Sequence, residues 1–225
     1  MIKDLSFRGH PYQIECSDSP AVCHPSWFSF DDESDVRERD WGIQKGDVVL
    51  DVGAAYGSYT LTALAAGAEF VYAWTPQGPP GEEPERALLA KSLALNGWTD
   101  RCEIYDSGAF DKSGWLNAST QEFHETEPAP HGDIIRVEKL DDWAARVKPR
   151  RAHWMKLDVE GAEIEVLRGA RVLIGVCRPR ILLENHLFKR ASIADEVREI
   201  LVGEHNYREV STHPHHSVSH SLYEP

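Results

Sequence analysis

The chain has 225 residues, with 24 Lys+Arg against 37 Asp+Glu and a net charge of −13. That length can hold a core without disulfide staples, and 41% hydrophobic with 27% charged residues is a globular balance, neither disordered nor fibrous. The excess of acids argues against nucleic acid or an anionic membrane as a partner and leaves a small or neutral molecule.

Residues 1–45 read as an N-terminal cap of hairpin or loop on the substrate side, carrying Phe7, Tyr12, Trp27, Phe28 and Phe30, then a short helix near Asp32–Trp41. No apolar leader follows Met1. The longest run without an ionised side chain, Val52–Ala68, is interrupted by Gly, Ser, Thr and Tyr, so neither a secretory signal nor a membrane span is expected. Cys16, Cys23, Cys102 and Cys177 form no C-x-x-C pair. Cys16 and Cys23 could meet in a loop, whereas scattered thiols suit a reduced cytoplasm.

From residue 46 to 225 the texture becomes that of one domain of alternating strands and helices. Val48–Val52 is a short apolar run closed by Gly53, which predicts a buried parallel strand. A helix follows over Ser58–Ala66, a second strand over Phe70–Trp74, and a helix over Glu82–Asn96 with acids at its start and Gly97 past its end. Further strands are predicted at Cys102–Tyr105, Ile134–Val137, His153–Leu157 and Arg180–Glu184, with helices at Leu140–Val147 and Ala162–Ala170. Ser192 opens another helix, with Asp195 as its capping-box partner and Gly203 as its end. The tail reads as a hairpin, Tyr207–Ser211 and Val218–Tyr223 around a His/Pro turn. This order predicts an α/β fold with a doubly wound sheet.

In such a sheet the ligand binds beyond the carboxyl ends of the strands. The first strand is followed by Asp51-Val-Gly-Ala-Ala-Tyr-Gly57. Gly53 and Gly57 permit a tight turn and close backbone approach to a ligand, and the missing G-x-G-x-x-G favours S-adenosylmethionine over a dinucleotide. A glycine-permitted link between strand and helix would look the same.

Beyond the fourth major strand lies Met155-Lys-Leu-Asp-Val-Glu-Gly-Ala-Glu-Ile-Glu-Val-Leu-Arg-Gly-Ala170. This segment resembles the signature of the FkbM family of S-adenosylmethionine-dependent methyltransferases. Val49–Thr60 resembles that family's cofactor loop, and Ala94–Gly97 and Leu182–His186 match it as well. The resemblance spans roughly residues 46–203. It implies a class I methyltransferase fold, Rossmann-like, mostly parallel with an antiparallel C-terminal hairpin strand. It also implies methylation of a hydroxyl on a sugar, polyketide or similar small molecule. The residues it assigns to the cofactor are Asp51, Gly53, Ala54, Ala55, Gly57, Tyr59, Thr75, Gly108, Ala109 and Asp158.

One position departs from the family pattern. The second strand ends at Thr75, where the family has an acid that holds both ribose hydroxyls, and Thr offers no bidentate carboxylate. Either Glu82 or Glu83 folds back from the long loop to replace it, or cofactor affinity is reduced, or the protein binds without methylating. An NAD(P)-dependent oxidoreductase is the remaining alternative and lacks its glycine fingerprint.

An aliphatic hydroxyl needs a general base or a metal to lose its proton near neutrality. Candidates project from two strand ends: Asp158 and Glu160, then Glu184, Asn185 and His186. Asp158, Glu184 and Asn185 resemble an acid, acid, amide-oxygen set that could hold Mg²⁺; they could equally cap adjacent helices. His186 is a candidate base or a structural hydrogen-bonder. Lys156, on the same strand face as Asp158, could pair with it or snorkel to the sheet margin. One of His213, His215 and His216 could reach the acceptor or a metal, or the three could form a solvated tip. Lys45, Arg101, Arg146–Arg151, Arg178 and Arg180 precede strands, whereas Asp51, Glu82, Glu83, Asp106, Asp158, Glu160 and Glu184 follow them. The acidic edge should therefore be the working edge, suited to a sulfonium cation.

Overall fold

The computed structural model describes residues 2–16, 32–76, 85–120, 122–128, 134–149, 151–215 and 218–225. Strands β1 (Ile2–Phe7) and β2 (His10–Glu15) form an antiparallel hairpin, and helix α1 (Asp32–Asp40) follows. The alternating part begins with β3 (Val48–Val52), α2 (Ser58–Ala65), β4 (Phe70–Trp74), α3 (Glu85–Leu95) and β5 (Cys102–Tyr105). Four short strands come next: β6 (Gly108–Ala109), β7 (Gly114–Asn117), β8 (Phe123–His124) and β9 (Ile134–Glu138). The chain continues through α4 (Leu140–Val147), β10 (Trp154–Leu157), α5 (Glu163–Gly169), α6 (Arg171–Cys177) and β11 (Arg180–Asn185). It ends with α7 (Ile193–Arg198), a π-helical continuation Glu199–Glu204, β12 (Arg208–His215) and β13 (Val218–Glu224).

The main sheet has the order β12-β13-β11-β10-β3-β4-β5. All of its pairings are parallel except those of β13, which runs against both β11 and β12. This is the predicted class I arrangement with its antiparallel hairpin strand. The strand order reverses between β3 and β10, so the crevice at their carboxyl ends is the place for a ligand.

Side chains alternate across the strands and divide the core in two. On one face Val49, Val71 and Ala73 meet Leu61, Leu64, Leu88 and Leu89 of α2 and α3. The N-terminal hairpin shares this core through Phe7, Tyr12 and Ile14. Ser92 of α3 and Asn96 just past its end fasten it, accepting from the backbone N–H groups of Glu15 and Gln13, both at 2.8 Å. On the other face Leu50, Val52, Met155 and Leu157 pack on Leu140, Trp143, Ile164, Leu167 and Ile174.

The structure departs from the expected elements in five places. The stretch read as one helix over Ala162–Ala170 is followed by a second, α6, with a break at Ala170 (φ −113, ψ 13). The capping box at Ser192 does not form; its hydroxyl donates to Glu196 Oε1 at 2.7 Å, and Asp195 pairs with Arg198 at 3.0 Å. Gly203 does not end the helix and lies inside the π-helical turn. Thr212–His215, expected in a turn, belong to β12. Four-stranded sheet β6-β9-β7-β8 was read only at β9, and it walls one side of the ligand crevice.

Candidate functional site

The loop after β3 is built by two glycines with left-handed backbone, Gly53 (φ +89) and Gly57 (φ +97). The N–H groups of Gly53 and Ala54 both donate to the Trp74 carbonyl, at 3.1 and 2.8 Å, drawing the loop onto the end of β4. Gly57 closes the turn by donating to Ala54 O at 2.7 Å. A Cβ on Gly53 would run into the carbonyl oxygen of Asp158, so only glycine lets the ends of β3 and β10 meet this closely.

A cleft of about 350 Å³ opens beside this loop. Gly53, Ala55, Thr75, Gly108, Ala109 and Asp158 line it, and Glu160 stands on its rim side. Leu116, Ile135 and Val137 of the small sheet supply an apolar wall. Asp51, Ala54, Gly57 and Tyr59 do not line the cleft. Asp51 Oδ2 accepts the Thr60 hydroxyl at 2.5 Å, and its buried Oδ1 has no hydrogen-bond partner among the described residues. Burial pushes the Asp51 carboxyl up to about 6, against the lowering effect of that hydrogen bond and of Lys156. The Tyr59 ring lies edge-on to Trp41 and under Lys156 Nζ, 4.7 Å from the ring centroid.

Thr75 is buried at the end of β4, its N–H bonded to Tyr105 O at 3.1 Å. Glu82 and Glu83 lie outside the described residues. The carboxylate on this wall is Glu85, the first residue of α3, whose pKa is raised by burial and by the nearby charges of Asp158 and Glu160. Sequence reasoning missed it, although an acid opening the helix after the long loop was the available signal.

Beside the cleft, which Asp158 and Glu160 line, the ends of β10 and β11 and the start of α5 bring four carboxylates around one imidazole. His186 Nδ1 is bonded to Glu163 Oε1 at 2.6 Å, and Glu163 is wholly buried. His186 Nε2 faces Glu160 Oε2 at 3.5 Å, Glu184 Oε1 at 3.6 Å and Asp158 Oδ1 at 3.7 Å. Lys156 Nζ holds Asp158 Oδ2 at 3.3 Å, and His220 Nε2 meets Glu184 Oε2 at 3.1 Å. Burial alone would lower the His186 pKa. The hydrogen bond and charge of Glu163, with Asp158 and Glu160, outweigh it and push His186 up to about 9. Burial would likewise raise Glu184, but the His220 hydrogen bond and the charges of Lys156, His220 and His186 hold it at about 2. Asp158 and Glu160 are raised, chiefly by burial.

Two expected placements change. Asn185 does not join Asp158 and Glu184; its amide donates to Ser219 O at 3.3 Å and to the hydroxyls of Ser219 and Ser221 at 3.1 and 3.3 Å, on β13. His186, two residues from Glu184, takes that place. In the tail, His213 turns to Asp40, 3.4 Å away, and His216 lies outside the described residues. The histidine that reaches the site from β13 is His220, which the sequence did not single out, and Glu163 was read only as part of a helix.

Residues 51–209 match the family model described as the methyltransferase FkbM domain. The chain belongs to the FkbM methyltransferase family. No curated protein matches it in sequence. Among solved structures it is similar to methyltransferase FkbM of Methylobacillus flagellatus KT, at 18% identity and a TM-score of 0.61, over 83% of this chain and 46% of that one. A Streptococcus mutans protein assigned as a SAM-dependent methyltransferase is 12% identical with a TM-score of 0.62, over 100% and 55% of the two chains. A third neighbour, an assigned methyltransferase complexed with SAH, is 11% identical with a TM-score of 0.58, over 100% and 56%. The chain thus spans about half the length of these relatives.

The FkbM family implies S-adenosylmethionine as the cofactor. The residues of this chain fit that cofactor: the Gly53 turn, where a Cβ would not fit, an acid at Glu85, and an apolar wall. Among the described residues no helix is long and apolar enough to cross a membrane.

Proposed function

We propose that this FkbM domain transfers the methyl group of S-adenosylmethionine to a hydroxyl oxygen of a small molecule. The observation that carries the reading is the cleft at the switch point, with the Gly53 loop, the acid Glu85 and the carboxylates Asp158 and Glu160 on one wall. Residues 1–45 are its N-terminal extension and 46–225 its transferase domain, in a cytoplasmic protein with no need of nucleic acid or membrane.

S-adenosylmethionine, when bound, supplies an already activated methyl group. The Gly53 turn brings backbone close to it, and Glu85 accepts from the ribose diol in place of the acid absent at Thr75. Ala109, Ile135 and Val137 exclude water along the wall that an adenine would occupy. Asp158 and Glu160, whose pKa values are raised, stand where a hydroxyl proton must go. The acidic side of the cleft favours a sulfonium cation over a phosphate-bearing ligand.

Calorimetric titration tests the reading. S-adenosylhomocysteine should bind one site per chain, and NAD⁺ should give no heat. Binding of NAD⁺ alone would overturn it.

A further inference from the structure

We infer that Asp158, Glu184 and His186 form a binding site for a divalent first-row transition cation beside the cleft, with Asp158 on its wall. The inference rests on the same site as the proposed function, but not on any methyl transfer. One ligand atom from each residue lies within 4.8 Å of the others. His186 is buried, and its Nε2 makes no hydrogen bond among the described residues; it faces carboxylate oxygens at 3.5–3.7 Å. Those separations exceed a hydrogen bond and approach the ~3.3 Å edge of a tetrahedral shell with metal–ligand distances of about 2.0–2.2 Å.

The stronger observation is the outer ring. Each ligand has its other polar atom held by a different, almost wholly buried side chain. Glu163 takes His186 Nδ1 at 2.6 Å, Lys156 takes Asp158 Oδ2 at 3.3 Å, and His220 takes Glu184 Oε2 at 3.1 Å. The three inner atoms, Nε2, Oδ1 and Oε1, are left converging. A carboxylate that fixes the tautomer of a ligating imidazole is the usual support of a histidine–metal bond. Charge agrees. Four carboxylates around His186 and one Lys156 ammonium sum to −3, and a divalent ion that takes the place of any proton on the imidazole Nε2 leaves −1.

The imidazole also alters which ion is expected. Mg²⁺ favours an all-oxygen octahedron, whereas one nitrogen and two carboxylates suit Mn²⁺ or Zn²⁺. Asp158 also lines the cleft, so a position facing the acceptor stays open.

The test uses the full chain after chelator treatment, titrated with Mn²⁺ by calorimetry and by electron paramagnetic resonance, and separately with Zn²⁺ and Mg²⁺. One Mn²⁺ should bind per chain, at least about 10-fold more tightly than Mg²⁺. His186→Ala and Asp158→Asn should each weaken Mn²⁺ binding by about 100-fold, and Glu163→Gln by about 10–100-fold with the unfolding midpoint unchanged. If His186→Ala does not fold, the other two variants decide. No binding of any of the three ions up to about 1 mM, or Mn²⁺ affinity unmoved in the folded variants, overturns the site. S-adenosylhomocysteine titrated without metal separates the two readings: metal binding without nucleoside binding sinks the proposed function and leaves this site, and the converse sinks only the site.

Discussion

Replacing Asp51 by Asn should make the protein more stable above pH 7 and leave it nearly unchanged at pH 4. Asp51 is almost fully buried, with one oxygen on the Thr60 hydroxyl and the other without a partner among the described residues. Burial lifts its pKa from 3.8 to about 6. The native state therefore binds more protons than the unfolded chain between these values, and stability falls as pH rises through that window. The penalty is complete above pH 7 and amounts to the difference of 2.2 between 6 and 3.8, which at 1.36 kcal/mol per pKa unit is about 3 kcal/mol. Asn keeps an acceptor for Thr60 and has no proton to lose. Its amide leaves one buried group unpaired where the carboxylate already left one, so that cost nearly cancels. Denaturant unfolding of both proteins from pH 4 to 8 reads the effect. The stability gap in favour of Asn should widen by about 3 kcal/mol across the range. A gap that stays flat with pH would refute the assignment of a buried, desolvated carboxylate to this loop.

The other predictions concern packing and the cleft. Gly53→Ala places a methyl group on the Asp158 carbonyl in a left-handed conformation, and should lower S-adenosylhomocysteine affinity by about 100-fold, as displacement of a site by about 1 Å does; calorimetry checks it. Gly57→Ala meets only the flexible Leu89 side chain and should cost less in the same assay. Glu85→Gln should weaken S-adenosylhomocysteine by about 10-fold, the worth of one charge-assisted hydrogen bond, and should remove discrimination against its 2′-deoxy analogue, measured by competitive titration. Trp143→Ala empties the centre of the cluster of Tyr72, Trp74 and Tyr105, whose rings lie 4.9–6.1 Å away, and should cost about 3–5 kcal/mol in denaturant unfolding.

The parallel strands were legible because each is a short apolar run closed by Gly, Pro or an acid, and strand ends in this fold point to the ligand. The small sheet was not, because strands of two to four residues such as Gly108–Ala109 and Phe123–His124 carry no readable period. The acid and histidine pair across helix α5 was hidden for another reason. Glu163 opens a helix and looks like an ordinary first-turn acid, yet the fold seals it against His186, a partner 23 residues away in sequence. Asn185 and His186 could not be ranked by composition, and the turn of Asn185 toward the serines of β13 decided it. At Ser192 the local signal was real, but the hydroxyl found Glu196 one turn on instead of the backbone. Of the acids expected past the strand ends, Asp158, Glu160 and Glu184 converge there, whereas Asp51 lies inside β3 and Asp106 pairs with Arg86. Of the expected rear-edge cations, Arg101 bonds the carbonyl of Ala68, but Arg146 pairs with Glu138, whose carboxylate also meets the Ser107 hydroxyl past the end of β5.

The central claim is methyl transfer to oxygen on a small molecule. The most direct measurement incubates the chain with S-adenosylmethionine labelled in its methyl group, together with pooled cell metabolites, and identifies by mass spectrometry what carries the label. The account predicts label on the oxygen of a small hydroxylated compound, reduced by Glu85→Gln and abolished by Gly53→Ala. Label confined to RNA or protein, or none transferred while S-adenosylhomocysteine still binds, would contradict it.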